Sequence, residues 1–316
     1  MELSPQLLES LKVYKDKIKK DVSFLINDQD HPKKESFLTF LNGIASIFDK
    51  LDVRIEKTRY NQYSPLTFEI ASDDQPTGIL FSGIPGGHEF NSLILGTLQA
   101  GGSKINLDES LIDQIKQIDR NINFETLVSL SCENCPDVVQ NLNQFALISK
   151  NITNHTIDGN LYPKLVKERD VQSVPSVFVE GEMVASGRIS TANIIKKLVE
   201  KGLIRTKPKK SKLPIQDVVV IGGGPAGVSS AIYAARKGLN VSIVSEKFGG
   251  QLTETVGIEN FISNPYTTGK ELTSNLFNHA KEYDIILKEH VQVEKIGGED
   301  IKSITLSSGE KMESRS

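Results

Sequence analysis

Leu130-Ser131-Cys132-Glu133-Asn134-Cys135-Pro136 contains the only two cysteines among 316 residues, in a C-x-x-C spacing. Ahead of it, Ile122-Asn123-Phe124-Glu125-Thr126-Leu127-Val128-Ser129-Leu130 reads as a strand. Behind it, Val138, Val139, Leu142, Phe145 and Ala146 recur at helical spacing. The pair therefore stands where a strand hands over to a helix. The free N–H groups and the positive end of the dipole at the helix start face the first sulfur. Both favour its thiolate, the form that attacks disulfides.

That context is the one in which thioredoxin-like folds carry a dithiol. Three other readings compete with it. A zinc site needs about four ligands, but here there is no second cysteine pair and the five histidines are scattered, so the expected metal content is none. A static disulfide across so short a loop stabilises little, and a chance pair at a buried helix start is the remaining alternative. Redox exchange is the leading reading.

Hydrophobic content of 38%, charged content of 24% and a net charge of −3 describe an ordinary soluble protein of two or three domains. There is no basic excess to attract nucleic acid and no polybasic patch or long apolar run for a membrane. Met1-Glu2-Leu3-Ser4 does not open a signal peptide. With two cysteines and no export signal, the expected location is a reducing cytoplasm, where a dithiol is a working group.

The chain contains an internal repeat. A shift of 101 residues lays Leu41-Asn42 over Leu142-Asn143, Leu93-Ile94 over Ile194-Ile195, and Gly101 over Gly202. Each copy reads strand, helix, strand, a proline-marked turn, two strands and a closing helix, the order of a thioredoxin fold. In the first copy, a helix over 5–20 carries Leu7, Leu8, Leu11, Tyr14 and Ile18, and the closing helix stops at Gly101-Gly102, residues suited to a left-handed cap. The same shift lays Cys132 over His31 and Cys135 over Lys34, so the first copy has the fold without the dithiol. In the second copy, Ser173-Val174-Pro175-Ser176 lies about forty residues beyond the C-x-x-C, where such folds place a cis-proline. A cis Pro175 would turn the backbone of Val174 toward the dithiol. The alternative is an ordinary proline that begins a strand.

Residues 203–214 read as a basic, proline-bearing linker with Arg205, Lys207, Lys209, Lys210 and Lys212. A new domain follows. Asp217-Val218-Val219-Val220-Ile221 is a buried parallel strand by composition. It runs into Gly222-Gly223-Gly224-Pro225-Ala226-Gly227, a full G-x-G-x-x-G. A helix with Ala231, Ala234 and Ala235 comes next, then the strand Asn240–Ser245 and Glu246. Strand, glycine loop, helix, strand and terminal acid in this order make a dinucleotide site, with Glu246 as the ribose-binding acid and the pyrophosphate at the helix N-terminus.

Phe248-Gly249-Gly250-Gln251-Leu252 and Gly257-Ile258-Glu259-Asn260-Phe261 favour FAD over NAD, because here the chain resembles the thioredoxin reductase-like flavoproteins. Two fused thioredoxin folds ahead of such a domain, with Gly86-Gly87-His88-Glu89-Phe90 in the first copy, resemble the branch of that family formed by the alkyl hydroperoxide reductase flavoproteins. The resemblance implies electron flow from NADH to FAD, to a second cysteine pair, to Cys132/Cys135 and on to the disulfide of a peroxiredoxin subunit in peroxide detoxification. It implies that Cys132 attacks, Cys135 resolves, Glu89 serves as an acid near the dithiol and Pro175 shapes the site. A helix-start carboxylate serving the dipole is the plainer reading of Glu89. Gly222, Gly224, Pro225, Ala226, Gly227, Glu246, Gly250, Gln251 and Asn260 would hold FAD, and the family implies a homodimer.

The expected architecture is α/β: a thioredoxin-like copy without dithiol over 1–102, a copy with C-x-x-C over 103–202, a linker over 203–214 and an incomplete Rossmann-like FAD domain over 215–316. Two departures from the family pattern stand out. Glu133 replaces the histidine usual after the first cysteine, and a negative neighbour disfavours a thiolate. Ile304-Thr305-Leu306 and Glu310-Lys311-Met312-Glu313 read as an unfinished meander, with no second glycine-rich motif or second C-x-x-C. The expectation is a chain without the NADH domain, unable to use NADH by itself. A binding module that keeps the thioredoxin folds without catalysis, and a general disulfide reductase, are the competing functions.

Overall fold

The computed structural model describes residues 3–56, 65–204 and 209–316. Met1, Glu2, Arg205 and Lys207, named above, lie outside the described residues. The chain forms two compact units, one of residues 1–106 with 115–189, the other of residues 107–114 with 190–316.

The first unit begins with α1 (Pro5–Leu11), capped by the Ser4 hydroxyl, which accepts from the Leu7 N–H at 3.2 Å. The single helix expected over 5–20 breaks after α1 into a 3₁₀ turn over Lys12–Lys17. Three residues per turn instead of 3.6 rotates the stripe, so Leu11 and Ile18 are buried while Tyr14 is exposed. Then follow β1 (Val22–Ile26), α2 (Lys34–Ala45), β2 (Leu51–Ile55), β3 (Thr67–Ser72), β4 (Gln75–Ser82) and α3 (Glu89–Ala100). Helix α4 (Glu109–Lys116) starts within the second unit. The second half has β5 (Ile122–Val128), α5 (Cys135–Ile148), β6 (Ile152–Asp158), α6 (Pro163–Glu168), β7 (Ser176–Val179) and β8 (Glu182–Ser186).

These strands make one eight-stranded sheet, ordered β2-β1-β3-β4-β6-β5-β7-β8. Both halves are wired alike: the first strand runs parallel to the second and antiparallel to the third, which runs antiparallel to the fourth. The halves join where β4 runs parallel to β6, from Ile79 opposite Asn154 to Ser82 opposite Ile157. The join removes two exposed edges that would otherwise template other chains. It also makes β4 an interior strand, which accounts for its buried run Ile79-Leu80-Phe81. Phe68 anchors the first half, with the Phe24, Phe37 and Phe81 rings 5.3, 5.8 and 5.4 Å away. In the second half Leu127, Ile157 and Phe178 pack with Tyr162 and Leu165. The left-handed position after α3 belongs to Gly102, with φ +99, while Gly101 stays at φ −73.

The second unit holds α7 (Thr191–Glu200), β9 (Lys209–Lys210), β10 (Val218–Ile221), α8 (Pro225–Ala235), β11 (Val241–Val244), a 3₁₀ turn over Gly250–Glu254, α9 (Gly269–Lys281), β12 (Ile286–Lys288), β13 (Val293–Gly297), β14 (Lys302–Leu306) and β15 (Glu310–Ser314). Strands β10, β11 and β12 form a parallel sheet, and β13, β14 and β15 form the meander. Lys209–Lys210, within the segment read as a linker, adds to the meander as a parallel edge strand on β15. Val228, Ala231, Ile232, Val241 and Ile243 form one core, and Val219, Val244, Val291, Ile304, Leu306 and Met312 another.

Candidate functional site

The dithiol sits where β5 gives way to α5. Cys132 and Cys135 are joined as a disulfide with Cα atoms 5.5 Å apart. Cys135 opens α5 and is fully buried, whereas Cys132 is part-exposed. The backbone N–H of Cys135 points at Cys132 Sγ from 3.1 Å. This N–H belongs to the unpaired first turn of the helix, so on reduction it is available to a Cys132 thiolate as a donor. On the other side, the carbonyl oxygen of Val174 lies 3.7 Å from Cys132 Sγ, and the Val174–Pro175 peptide is cis. The Pro175 carbonyl is held in turn by the Gly187 N–H at 2.8 Å. Glu133 is exposed beside Cys132.

The first half of the sheet reaches this loop through Gly86-Gly87-His88-Glu89. Gly87 has φ +55, and a Cβ there would stand 2.3 Å from the Leu130 carbonyl oxygen, so only glycine fits. The next N–H, of His88, donates to that same carbonyl at 3.0 Å. Glu89 follows as the first residue of α3 and has no solvent exposure. Burial pushes its carboxyl up to about 7, opposed in part by the Ser92 hydroxyl. Together with Ser82, Val128, Leu130, Thr156 and Asp158, it lines a small cavity that has room for no more than about one water. Burial also raises the Asp158 carboxyl. Behind the cavity, His155 is held neutral by burial, down to about 3, with Nε2 2.6 Å from Ser82 Oγ. The sequence pointed to Glu89 but not to Thr156 and Asp158, which reach the cavity because β4 pairs with β6, nor to His155, which meets Ser82 across the same pairing.

In the second unit the glycine loop forms between β10 and α8. Gly222 has φ +115 and donates its N–H to the Val244 carbonyl at 2.8 Å. An added Cβ at Gly222 or Gly224 would meet nothing within 4 Å, so the outer face of the loop is bare. Its inner face is tight: a Cβ at Gly227 would lie 2.0 Å from the Gly222 carbonyl oxygen. Pro225 takes a first-turn position in α8, where its missing N–H costs nothing. Gly250 lies alongside Gly224, with an added Cβ 3.7 Å from the Gly224 Cα. An open backbone over a helix start is the cradle a dinucleotide pyrophosphate needs, and these residues fit that group. Glu246 follows β11, and its Oε1 accepts from the Gln292 amide at 2.7 Å. Gln251, on the 3₁₀ turn, and Asn260, in the loop after Ile258, are exposed.

Among the described residues, no helix is long and apolar enough to cross a membrane, and no group of three acidic, histidine or cysteine side chains is placed to hold a metal ion.

The thioredoxin domain family matches residues 122–200, and the FAD dependent oxidoreductase family matches residues 217–290. A protein of Ferdinandcohnia aciditolerans named NADH dehydrogenase is 39% identical over 319 residues, covering 100% of this chain and 60% of its own length. The F component of alkyl hydroperoxide reductase in Staphylococcus aureus is 36% identical over 315 residues, covering 99% of this chain and 60% of its own length. The chain thus spans about 60% of the length of these curated relatives. The crystal structure of the N-terminal domain of an alkylhydroperoxide reductase flavoprotein from Enterococcus faecalis superposes with a TM-score of 0.57. It is 29% identical and covers 62% of this chain and 99% of that one.

Proposed function

On the premise that the chain is a relative of the alkyl hydroperoxide reductase flavoproteins along its whole length, we propose that it is the dithiol-carrying part of a flavoprotein that reduces a peroxiredoxin disulfide. The observation that carries this reading is the asymmetry of the two sulfurs: Cys132 is part-exposed and receives the Cys135 N–H, and Cys135 is buried behind it.

The exchange runs in two displacements. In the reduced protein the Cys132 thiolate attacks one sulfur of the partner's disulfide. That S–S bond breaks, a Cys132–partner mixed disulfide forms, and the first partner thiolate leaves and takes up a proton. Cys135 then gives up its proton and attacks Cys132 Sγ. The Cys132–Cys135 disulfide forms and the second partner thiol is released. Two electrons pass to the partner. The Val174 carbonyl beside Cys132 can accept from the backbone of an extended partner segment. Glu89, protonated up to about pH 7, is assigned as the proton source for the departing thiolate, because the cavity it lines runs to Leu130.

The dithiol must then be reduced again. The FAD dependent oxidoreductase match and the bare glycine loop support FAD on the second unit, where a flavin supplies two-electron redox chemistry. Gly222, Gly224, Ala226, Gly227 and Gly250 would hold its pyrophosphate and Glu246 its adenosine ribose. Gln251 and Asn260 would come to the flavin from the exposed turns they occupy. NADH is the proposed electron source in the whole protein, a homodimer the proposed assembly and the cytoplasm the proposed location.

The test uses the full chain, reduced with dithiothreitol and freed of it, mixed with an oxidised peroxiredoxin. Transfer of one pair of electrons per chain, followed by thiol counting, is expected. Reduction of small disulfides at an equal rate would favour a general disulfide reductase, and no transfer to either would favour a binding module.

A further inference from the structure

We propose that Gln292 is a positioning residue that orients Glu246 for the ribose of a bound adenine nucleotide; the inference rests on the reading of 217–290 as an FAD-type site. The Gln292 amide nitrogen donates to Glu246 Oε1 at 2.7 Å. A carboxylate only accepts hydrogen bonds, so the amide must present its NH₂ there. The same nitrogen reaches Asn193 Oδ1 at 3.4 Å, a second acceptor that suits an NH₂. One carboxylate oxygen of Glu246 is thereby committed to the protein, and the other is left for a ribose hydroxyl.

The backbone holds Gln292 in place for this. His290 adopts the left-handed region at φ +62, a costly conformation for a side-chain-bearing residue. Its N–H donates to the Glu246 carbonyl at 3.2 Å, which ties the turn to the end of β11. Val291 is then 1% exposed in the core. Gln292 donates its N–H to Ser307 Oγ at 3.0 Å and accepts the Ser307 N–H on its carbonyl at 2.8 Å. The side chain at 292 is thus fixed from both sides of its backbone before it meets Glu246.

The chemistry of the partner matters too. A lysine or arginine in its place would neutralise the carboxylate and weaken it as an acceptor. A neutral amide keeps the full negative charge, which attracts a 2′-hydroxyl and repels a 2′-phosphate. Holding a glutamate in one rotamer removes entropy that a ligand would otherwise have to overcome.

The experiment measures binding of ADP and 2′-deoxy-ADP to the full chain by titration calorimetry. The wild type should prefer ADP by about tenfold, the worth of one hydrogen bond to a charged group. Gln292→Glu is isosteric and keeps the packing but turns the donor into a like charge. It should lose most of the preference for ADP while 2′-deoxy-ADP binding changes little. Gln292→Leu should do the same, and combining it with Glu246→Gln should add nothing further to the loss. Two results overturn the proposal: variants that keep the wild-type ratio, or a wild type that does not distinguish the ligands. A wild type that binds neither ligand, nor FAD by fluorescence, defeats the cofactor-site reading itself, and the proposal falls with it.

Discussion

The backbone N–H of His88 donates to the carbonyl oxygen of Leu130 at 3.0 Å. His88 precedes the helix that carries Glu89, and Leu130 stands two residues before Cys132. The copy without a dithiol is therefore bonded directly to the loop that carries the dithiol in the other copy. The β4–β6 pairing sets this contact, and Gly87 makes the approach possible.

Gly87→Ala should be strongly destabilising. The added methyl would stand 2.3 Å from the Leu130 oxygen at a φ of +55, so the contact must open. A loss of about 2–4 kcal/mol is expected from strain and the lost hydrogen bond. Urea unfolding followed by circular dichroism measures it. A loss below about half a kcal/mol, the usual scatter of a neutral substitution, would mean the loop adapts freely.

Glu89 gives stability a pH dependence of definite sign. The folded chain holds this proton up to about pH 7, whereas the unfolded chain releases it near the ordinary value of 4.5. The stabilising contribution is therefore present below 4.5 and is lost as pH rises through about 7. Glu89→Gln removes this loss. The variant should gain on the wild type between about pH 5 and pH 8, on the order of 2–3 kcal/mol. Parallel melting curves across that range would contradict a buried carboxyl with a raised pKa.

Lys288 and Glu310 form a buried ion pair at 2.7 Å, with Asp108 3.4 Å from the same ammonium. Burial works to raise the Glu310 carboxyl, but its hydrogen bond and charge contact with Lys288 hold it below the usual range. Its contribution is present above the usual carboxylate value and is lost as pH falls through the lowered one. Lys288→Met strands two buried carboxylates and should cost about 3–5 kcal/mol near neutral pH. The deficit should shrink in acid as Glu310 protonates. A pH-independent deficit would point to packing alone.

Gly227→Ala should abolish adenine nucleotide binding and loosen the second unit, because its Cβ would fall 2.0 Å from the Gly222 oxygen. Gly224→Ala meets nothing in the protein and should leave stability within about half a kcal/mol. It should nevertheless weaken nucleotide binding by occupying the bare face. Equal effects of both variants on stability and binding would contradict a cradle with one open side.

Much of this fold was legible because the signals are local. The apolar runs of β1, β5, β10 and β11 are strands by composition. The distance from Cys135 to Pro175 marked the peptide that is cis, and the 101-residue shift exposed two copies that are wired alike. What local patterns could not carry was partnership across the chain. Nothing near Ser82 or Ile157 says that β4 pairs with β6, so the surroundings of Glu89 stayed hidden. Gln292 lies 46 residues beyond Glu246 in an ordinary loop and meets it only through the left-handed turn at His290. The helix expected over 5–20 ends at Leu11 because its leucines all lie at or before that point, and the Lys12–Lys17 turn that follows buries none of its residues.

The central claim is that Cys132 attacks the partner and Cys135 resolves the mixed disulfide. The most direct test is covalent trapping with an oxidised peroxiredoxin on a non-reducing gel. Cys135→Ser should accumulate a complex joined through Cys132 and released by dithiothreitol, and Cys132→Ser should accumulate none. A complex that forms with Cys132→Ser and not with Cys135→Ser, or no complex with either variant, would contradict the account.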